Sequence, residues 1–142
     1  TILINGRADI SNAVGADGVH RPQSGLPISG IREILNDGIV GVSAHSVEEA
    51  QKAQRRGADF ITISPVFRTN SKPGYGPPLG LERLKKVCRS VELPVYALAG
   101  VSPDSVQSCL DAGAYGVAVM SGLMAAEHPA KKLRAYLPSD SA

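Results

Sequence analysis

The 142-residue sequence has little of several features that mark specialised classes of protein. It contains two cysteines, no tryptophan and only 4% aromatic residues. Its 15 basic and 13 acidic residues give a formal net charge of +2, which offers no support for nucleic acid or an anionic membrane as a partner. No apolar run approaches the roughly 18 residues that a transmembrane helix requires. We therefore expect one globular domain over residues 1–142, long enough to bury a core.

The two cysteines and the carboxylates exclude several kinds of site. Cys88 and Cys109 match no metal-binding or redox spacing, and we interpret them as reduced core thiols. No carboxylate cluster has the spacing of a metal site. The first residues contain no basic-then-apolar leader, so we expect a cytoplasmic protein. The chain starts at Thr1 directly in a strand-like run, "TILI", and we expect that its beginning is missing.

A recurring segment is the main organising feature of the chain. "GADGVH" (15–20), "GADFIT" (57–62) and "GAYGVA" (113–118) each follow a helix-like stretch and open a strand-like one. Gly15, Gly57 and Gly113 stand where a glycine ends a helix. The apolar runs predict strands at 1–5, 17–20, 39–43, 60–64, 94–99 and 115–120. Helices are predicted near 7–14, 28–36, 46–56, 79–90, 103–112 and 128–137, with N-terminal caps at Ser46 and Ser102.

Strict strand–helix alternation predicts an α/β fold with a parallel sheet, either an open doubly wound sheet or part of a TIM-type (β/α)₈ barrel. A doubly wound sheet would carry a glycine fingerprint after its first strand, and "INGRAD" is not one. A barrel places function at the carboxyl ends of its strands. Polar and glycine residues recur there: Asn5, His20, Ser43, His45, Gly100, Ser102, Ser121 and Gly122. We favour a barrel with about six of its eight βα units present.

Two segments could bind phosphate. The last strands end in "ALAGVS" and "AVMSG", where Gly100, Ser121 and Gly122 would let backbone N–H groups approach an anion. The alternative is that these are ordinary tight turns. The longer segment "RTNSKPGYGPPLG" (68–80) offers Thr69, Ser71 and Lys72, two hydroxyls and an ammonium suited to a phosphate or diphosphate. Its alternative is a solvated turn with a surface lysine.

The histidines give weaker signals. His20 ends a strand and either faces the mouth of the barrel or forms a hydrogen bond inside it. His45 lies directly before a helix cap, and we interpret it as structural.

Three stretches resemble the family of thiamine phosphate synthase and its relative, the thiazole tautomerase. They are "INGRADISNAVGADGVHRPQSGLP", "GVSAHSVEEAQKAQRRGADFITISPVFRTNSKPGYGPPLGLE" and "LAGVSPDSVQSCLDAGAYGVAVMSGL". The resemblance implies a (β/α)₈ barrel that joins hydroxymethylpyrimidine diphosphate to hydroxyethylthiazole phosphate, giving thiamine phosphate and diphosphate. It also implies Mg²⁺ as cofactor and small phosphorylated molecules as partners.

Site residues also follow from the resemblance. The family's diphosphate-gripping pattern, Thr-x-Thr/Ser-Lys, matches Thr69, Ser71 and Lys72, and its strand-end serine matches Ser43. We expect Lys72 and Ser43 to be the catalytic residues. Binding residues are expected at Asn5, Thr69, Ser71, Lys72, Gly100, Met120, Ser121 and Gly122.

The sequence departs from the family at three positions. Gly6 and Gly25 stand where the synthases carry aspartates that bind Mg²⁺, and Pro65 stands where the tautomerase carries its catalytic histidine. The units that hold the family's pyrimidine-side Arg and Lys would precede Thr1. A synthase-like transferase is therefore the leading hypothesis. The alternatives are a non-catalytic protein that binds thiazole phosphate or thiamine phosphate, and a tautomerase-like isomerase using another base such as His20. Open strand edges would also allow a homodimer.

Overall fold

A computed structural model describes residues 1–69 and 77–137 of the chain. The described residues contain six strands and seven α-helices, and strands and helices alternate from β1 to α6, as the sequence predicts apart from the added helix α6. The strands are β1 (Leu3–Asn5), β2 (Gly18–Arg21), β3 (Ile39–Ala44), β4 (Phe60–Ile63), β5 (Val95–Leu98) and β6 (Gly116–Ala118). The helices are α1 (Ala8–Ala13), α2 (Ile28–Leu35), α3 (Val47–Arg55), α4 (Gly80–Ser90), α5 (Val106–Asp111), α6 (Ser121–Met124) and α7 (Pro129–Arg134). None of the helices in this part of the chain is long and apolar enough to cross a bilayer.

The six strands form one parallel sheet in the order β1-β2-β3-β4-β5-β6. Every neighbouring pair is consecutive in sequence, and each crossover passes through a helix. This order is that of a barrel wall, so the predicted part-barrel of six βα units is confirmed and the doubly wound alternative is wrong. Because all six strands are parallel, their carboxyl ends lie along one rim of the sheet. Within the described residues this rim is open, because β1 and β6 each pair on one side only.

The helix-facing side of the sheet holds the core. Val40, Ile61 and Ile63 are 0% exposed, and Val19, Val95 and Ala97 are at most 2% exposed. Burying a large aliphatic side chain contributes about 1.5–3 kcal/mol, so this layer supplies much of the stability. The continuous apolar runs of the sequence arise because these residues lie beneath helices while their neighbours fill the concave side.

Aromatic side chains fill part of the concave side. The ring centroids of His20 and Phe60 are 6.0 Å apart, and the ring of Tyr96 meets Phe60 edge-on at 5.5 Å. Gly41 makes room for them, because a Cβ at that position would come within 2.1 Å of the Phe60 ring. Phe60 and Tyr96, two of the chain's six aromatic residues, thus fill space on the concave side together with His20.

The sequence correctly predicted where three helices end. Gly15, Gly57 and Gly113 follow α1, α3 and α5 with φ of +65°, +84° and +98°, the left-handed conformation expected of a glycine that ends a helix. Ser102 caps a 3₁₀ turn, Pro103–Ser105, that leads into α5. The last predicted helix, 128–137, is shorter than expected, and the sequence did not predict α6.

The cap of α3 differs in one detail from the predicted capping box. The Ser46 hydroxyl accepts a hydrogen bond from the Glu49 N–H at 3.2 Å, as predicted. The reciprocal bond comes from the N–H of His45, one residue before the cap, to Glu49 Oε2 at 2.7 Å. Glu49 therefore fixes the end of β3 as well as the start of the helix.

Candidate functional site

A cavity of about 650 Å³ opens at the carboxyl ends of β3 to β6. Its volume lies in the range of small-molecule sites. Six residues predicted from the sequence line it: Ser43, Thr69, Gly100, Met120, Ser121 and Gly122. These residues lie at or after the carboxyl ends of four different strands, and the parallel sheet brings them together because all its strands end at the same rim.

Three other predicted residues are not placed in this cavity. Asn5 is exposed at the end of β1 and does not belong to the cavity lining. It lies on the edge strand, which β2 separates from β3, the first of the strands whose ends form the cavity. Ser71 and Lys72 lie outside the described residues. The binding role of Asn5 and the clamp role of Ser71 and Lys72 therefore stay predictions.

Gly100 allows the loop after β4 to approach the end of β5. The N–H groups of Val66 and Phe67 donate to Leu98 O and Ala99 O, both at 3.1 Å. Gly100 itself has φ of +69°, and a Cβ there would lie 2.4 Å from the Arg68 carbonyl oxygen. The sequence suggested that this glycine leaves room for a ligand. The structure shows that the protein's own backbone occupies the Cβ direction, so Gly100 positions the residues that lead to Thr69.

His45 lies in the cavity lining, although the sequence suggested only a structural role. Its Nδ1 lies 2.7 Å from Ser64 O. Because a carbonyl oxygen can only accept, Nδ1 is the donor in this bond. The bond joins the end of β3 to the end of β4, so His45 stabilises two walls of the cavity and also contributes to its surface.

The end of β6 leads directly into α6, which begins at Ser121. A Cβ at Gly122 would lie 2.7 Å from Tyr136 Oη, and this hydroxyl donates to Val101 O at 3.4 Å. Tyr136 is buried beyond the end of α7. It therefore connects the turn at Gly122 to the loop after β5, and both segments line the cavity.

Arg68 is a lining residue that the sequence analysis did not single out. It begins the proline- and glycine-rich segment and lies at the cavity beside Thr69. The sequence could have indicated Arg68, because it is the first residue of the segment 68–80 in which we predicted anion binding. A guanidinium here adds a permanent positive charge to a cavity proposed to hold phosphate groups.

His20 lies inside the sheet and outside the cavity lining. Its Nε2 is 3.1 Å from Thr62 Oγ1, and burial lowers the pKa of the imidazole. Of the two alternatives, the hydrogen-bonded barrel residue is the one observed.

The described residues do not fit Mg²⁺ at the positions that the family resemblance indicates. Gly6 and Gly25 have no side-chain ligands, and a Cβ at Gly25 would lie 3.0 Å from Arg21 Cγ. Arg21 Nη2 donates to Gly25 O at 2.8 Å, so a guanidinium stands beside the position of the expected carboxylate. Within residues 1–69 and 77–137, no group of three or more His, Cys, Asp or Glu side chains could hold a metal ion.

Comparison with known proteins gives a consistent result. The family model described as thiamine monophosphate synthase matches residues 1–123. A relative from Aquifex aeolicus is 48% identical over 120 residues, covering 84% of this chain and 64% of that protein. The thiamine-phosphate synthase of Chloroflexus aurantiacus is 37% identical over 139 residues, covering 96% of this chain and 64% of that one.

A solved structure agrees with these relatives. The thiamine phosphate pyrophosphorylase of Pyrococcus furiosus superposes with a TM-score of 0.85 at 36% identity, covering 94% of this chain and 64% of that one. The chain thus spans about 64% of the length of these relatives. From the match over residues 1–123 and these identities, the chain belongs to the thiamine monophosphate synthase family.

Proposed function

We propose that the protein carrying this chain is a thiamine-phosphate synthase. The transferase would join hydroxymethylpyrimidine diphosphate to hydroxyethylthiazole phosphate and release diphosphate. One observation carries the proposal: in a chain of this family, residues from four successive βα units converge on one cavity at the strand ends. Three of the hydroxyl residues that the resemblance implies, Ser43, Thr69 and Ser121, line that cavity, which supports the proposal.

The chemistry asked of these residues is mainly electrostatic. The bond between the pyrimidine methylene carbon and the diphosphate oxygen breaks, and the thiazole nitrogen forms a new bond to that carbon. Negative charge develops on the leaving diphosphate, and Arg68 and Thr69 at the cavity are suited to stabilise it. We assign the same role to Ser71 and Lys72 on the sequence pattern alone.

The thiazole phosphate is assigned to the other side of the cavity. Gly100, Ser121 and Gly122 line that side, where α6 begins. The first N–H groups of a helix have no intrahelical acceptor and suit an anion. Leu98 and Val101 add apolar wall, which would limit the access of water to a reactive pyrimidine methyl cation.

Two further parts of the proposal are the cofactor and the compartment. Mg²⁺ stays a prediction from the resemblance, and we assign no catalytic step to it because Gly6 and Gly25 cannot ligate it. A reducing, cytoplasmic location is proposed because Cys88 and Cys109 are free thiols.

The test is a transferase assay that measures formation of thiamine phosphate from the two substrates. We expect Lys72→Ala to lower kcat/KM by about 10²–10³-fold, the usual loss when one group that stabilises developing charge is removed. Lys86→Ala is the matched control, since Lys86 is exposed on α4 and absent from the cavity lining; its kcat/KM should not change. Absence of thiamine phosphate with the unmodified protein, with or without Mg²⁺, would contradict the proposal.

A non-catalytic binding protein is the second candidate, and the glycines at positions 6 and 25 favour it. Calorimetry with thiazole phosphate and with diphosphate separates the two candidates. Binding of thiazole phosphate without any turnover indicates a binding protein. The cavity does not support an isomerase that uses His20 as its base, because His20 does not line it, and Pro65 has no titratable group.

A further inference from the structure

A second cavity, of about 160 Å³, lies between the end of β2, the start of α2 and one face of α3. Three basic side chains line it: Arg21, Lys52 and Arg56. Neither the sequence analysis nor the proposed transferase reaction assigns a role to them.

Arg21 is held in place without a counter-charge. Its Nε donates to Leu26 O at 2.5 Å and its Nη2 donates to Gly25 O at 2.8 Å. Both acceptors are neutral carbonyl oxygens, so the guanidinium has a defined orientation and keeps its full positive charge. Partial burial and, to a smaller extent, the nearby charge of Arg56 lower the pKa of Arg21.

Lys52 lies on α3 and Arg56, four residues later, is the C-cap of that helix, so both lie on about the same face of its last turn. The two ion pairs within residues 1–69 and 77–137, Arg7–Asp9 and Arg32–Asp59, involve neither of them. Both side chains are exposed, so they can adjust to a ligand without disrupting a packed contact.

Glu49 is the only carboxylate in the lining, and its oxygens already accept hydrogen bonds. Oε2 accepts from the His45 N–H at 2.7 Å, and Oε1 accepts from Gln23 Nε2 at 2.6 Å. Three cations therefore face one engaged carboxylate across a small cavity. Uncompensated like charges around a concave surface attract an anion of matching size.

We propose that this second cavity binds an oxyanion of the phosphate class, either inorganic phosphate or the phosphate group of a phosphomonoester. Arg21 and Arg56 offer forked N–H donors that suit phosphate oxygens, and Lys52 adds a third charge. The site is separate from the proposed active cavity and is reached from the helix-facing side of the sheet. The two cavities share Ser43 in their linings, so they are adjacent.

The test is a titration with inorganic phosphate at constant ionic strength, followed by the amide NMR signals of the ¹⁵N-labelled protein. We expect saturable shifts at residues 21–26 and 49–56. The double variant Lys52→Gln/Arg56→Gln should raise the midpoint of these shifts at least tenfold, because two charge-assisted contacts are lost. The control Arg55→Gln/Lys86→Gln removes the same charge from exposed positions outside the cavity and should change the midpoint less than twofold.

Chloride at the same ionic strength separates specific binding from general attraction to cations. Equal shifts with chloride, or equal midpoints in the two double variants, would overturn the proposal. A parallel titration with glycerol phosphate identifies the source, since tighter binding indicates a phosphomonoester and weaker binding indicates free phosphate. Signals from residues 100–102 and 119–122 report the first cavity separately, so failure of the proposed transferase site would be seen independently.

Discussion

Replacing Gly100 by alanine tests whether this glycine is needed for close backbone approach. An alanine would have to adopt φ of +69°, and its Cβ would stand 2.4 Å from Arg68 O and 2.8 Å from Phe67 C. Gly15→Ala is the matched control, because Gly15 has φ of +65° and a Cβ there would meet nothing within 4 Å. The two substitutions share the backbone cost and differ only in the contact.

The expected magnitudes follow from these two costs. A left-handed conformation costs an alanine about 1–2 kcal/mol, which is the expected loss of unfolding free energy in Gly15→Ala. Overpacking typically costs a further 1–3 kcal/mol or so, which gives about 2–5 kcal/mol for Gly100→Ala. With an m-value of about 1–3 kcal/mol/M in urea, the extra cost lowers the unfolding midpoint by about 1 M relative to the control.

The assay is urea unfolding of both variants. Equal m-values in the two variants would show that a change of midpoint reports a change of stability. Equal loss of unfolding free energy in Gly100→Ala and Gly15→Ala would refute the argument, since it would mean that the loop after β4 moves away at no cost. In the proposed enzyme, the shift of Arg68 and Thr69 in Gly100→Ala should also weaken substrate binding, whereas Gly15→Ala should leave KM unchanged.

Three further predictions concern the cap of α3, a partly buried histidine and a cysteine. Ser46→Ala removes the acceptor for the Glu49 N–H and should lower the unfolding free energy by about 1 kcal/mol. Ser29→Ala, at an exposed position of α2, should change it by less than about 0.5 kcal/mol. Burial lowers the pKa of His20 in the folded protein below 6.5, so the unfolded chain binds a proton more readily and the unfolding free energy falls as the pH decreases below 6.5. In His20→Gln, denaturation at several pH values should show a smaller decrease of the unfolding free energy with falling pH. Burial raises the pKa of Cys88 to about 11, so at pH 8 the thiol should be alkylated about a hundredfold more slowly in the native protein than in urea. Mass spectrometry measures both rates, and equal rates would contradict the burial of this thiol.

The comparison of sequence and structure separates local from long-range information. The alternation of strands and helices and the glycines that end α1, α3 and α5 were predictable, because each depends on residues within one or two turns. The short helix α6 was missed, since four residues carry no period that a sequence reading can detect. The displaced bond of Glu49 to the His45 N–H was also missed, because side-chain length alone does not select between neighbouring amides.

The candidate site was predictable only in part. The sequence placed Ser43, Thr69, Gly100 and Ser121 at strand ends, and parallel pairing of consecutive strands then made their convergence expected. It could not show that Asn5 lies apart from them, since that depends on the number of strands between β1 and the cavity. Nor could it choose between the two roles of His20, because its partner, Thr62, is 42 positions away in sequence.

The sequence by itself thus determined the βα alternation, the parallel sheet and the family, because short-range periodicity and quoted motifs carry them. Tertiary structure alone decided which residues share a cavity, why position 100 must be glycine, and that Arg21, Lys52 and Arg56 face one another. The physical reason is that close approach and uncompensated charge are properties of distances between segments, and strand pairing and helix packing set those distances.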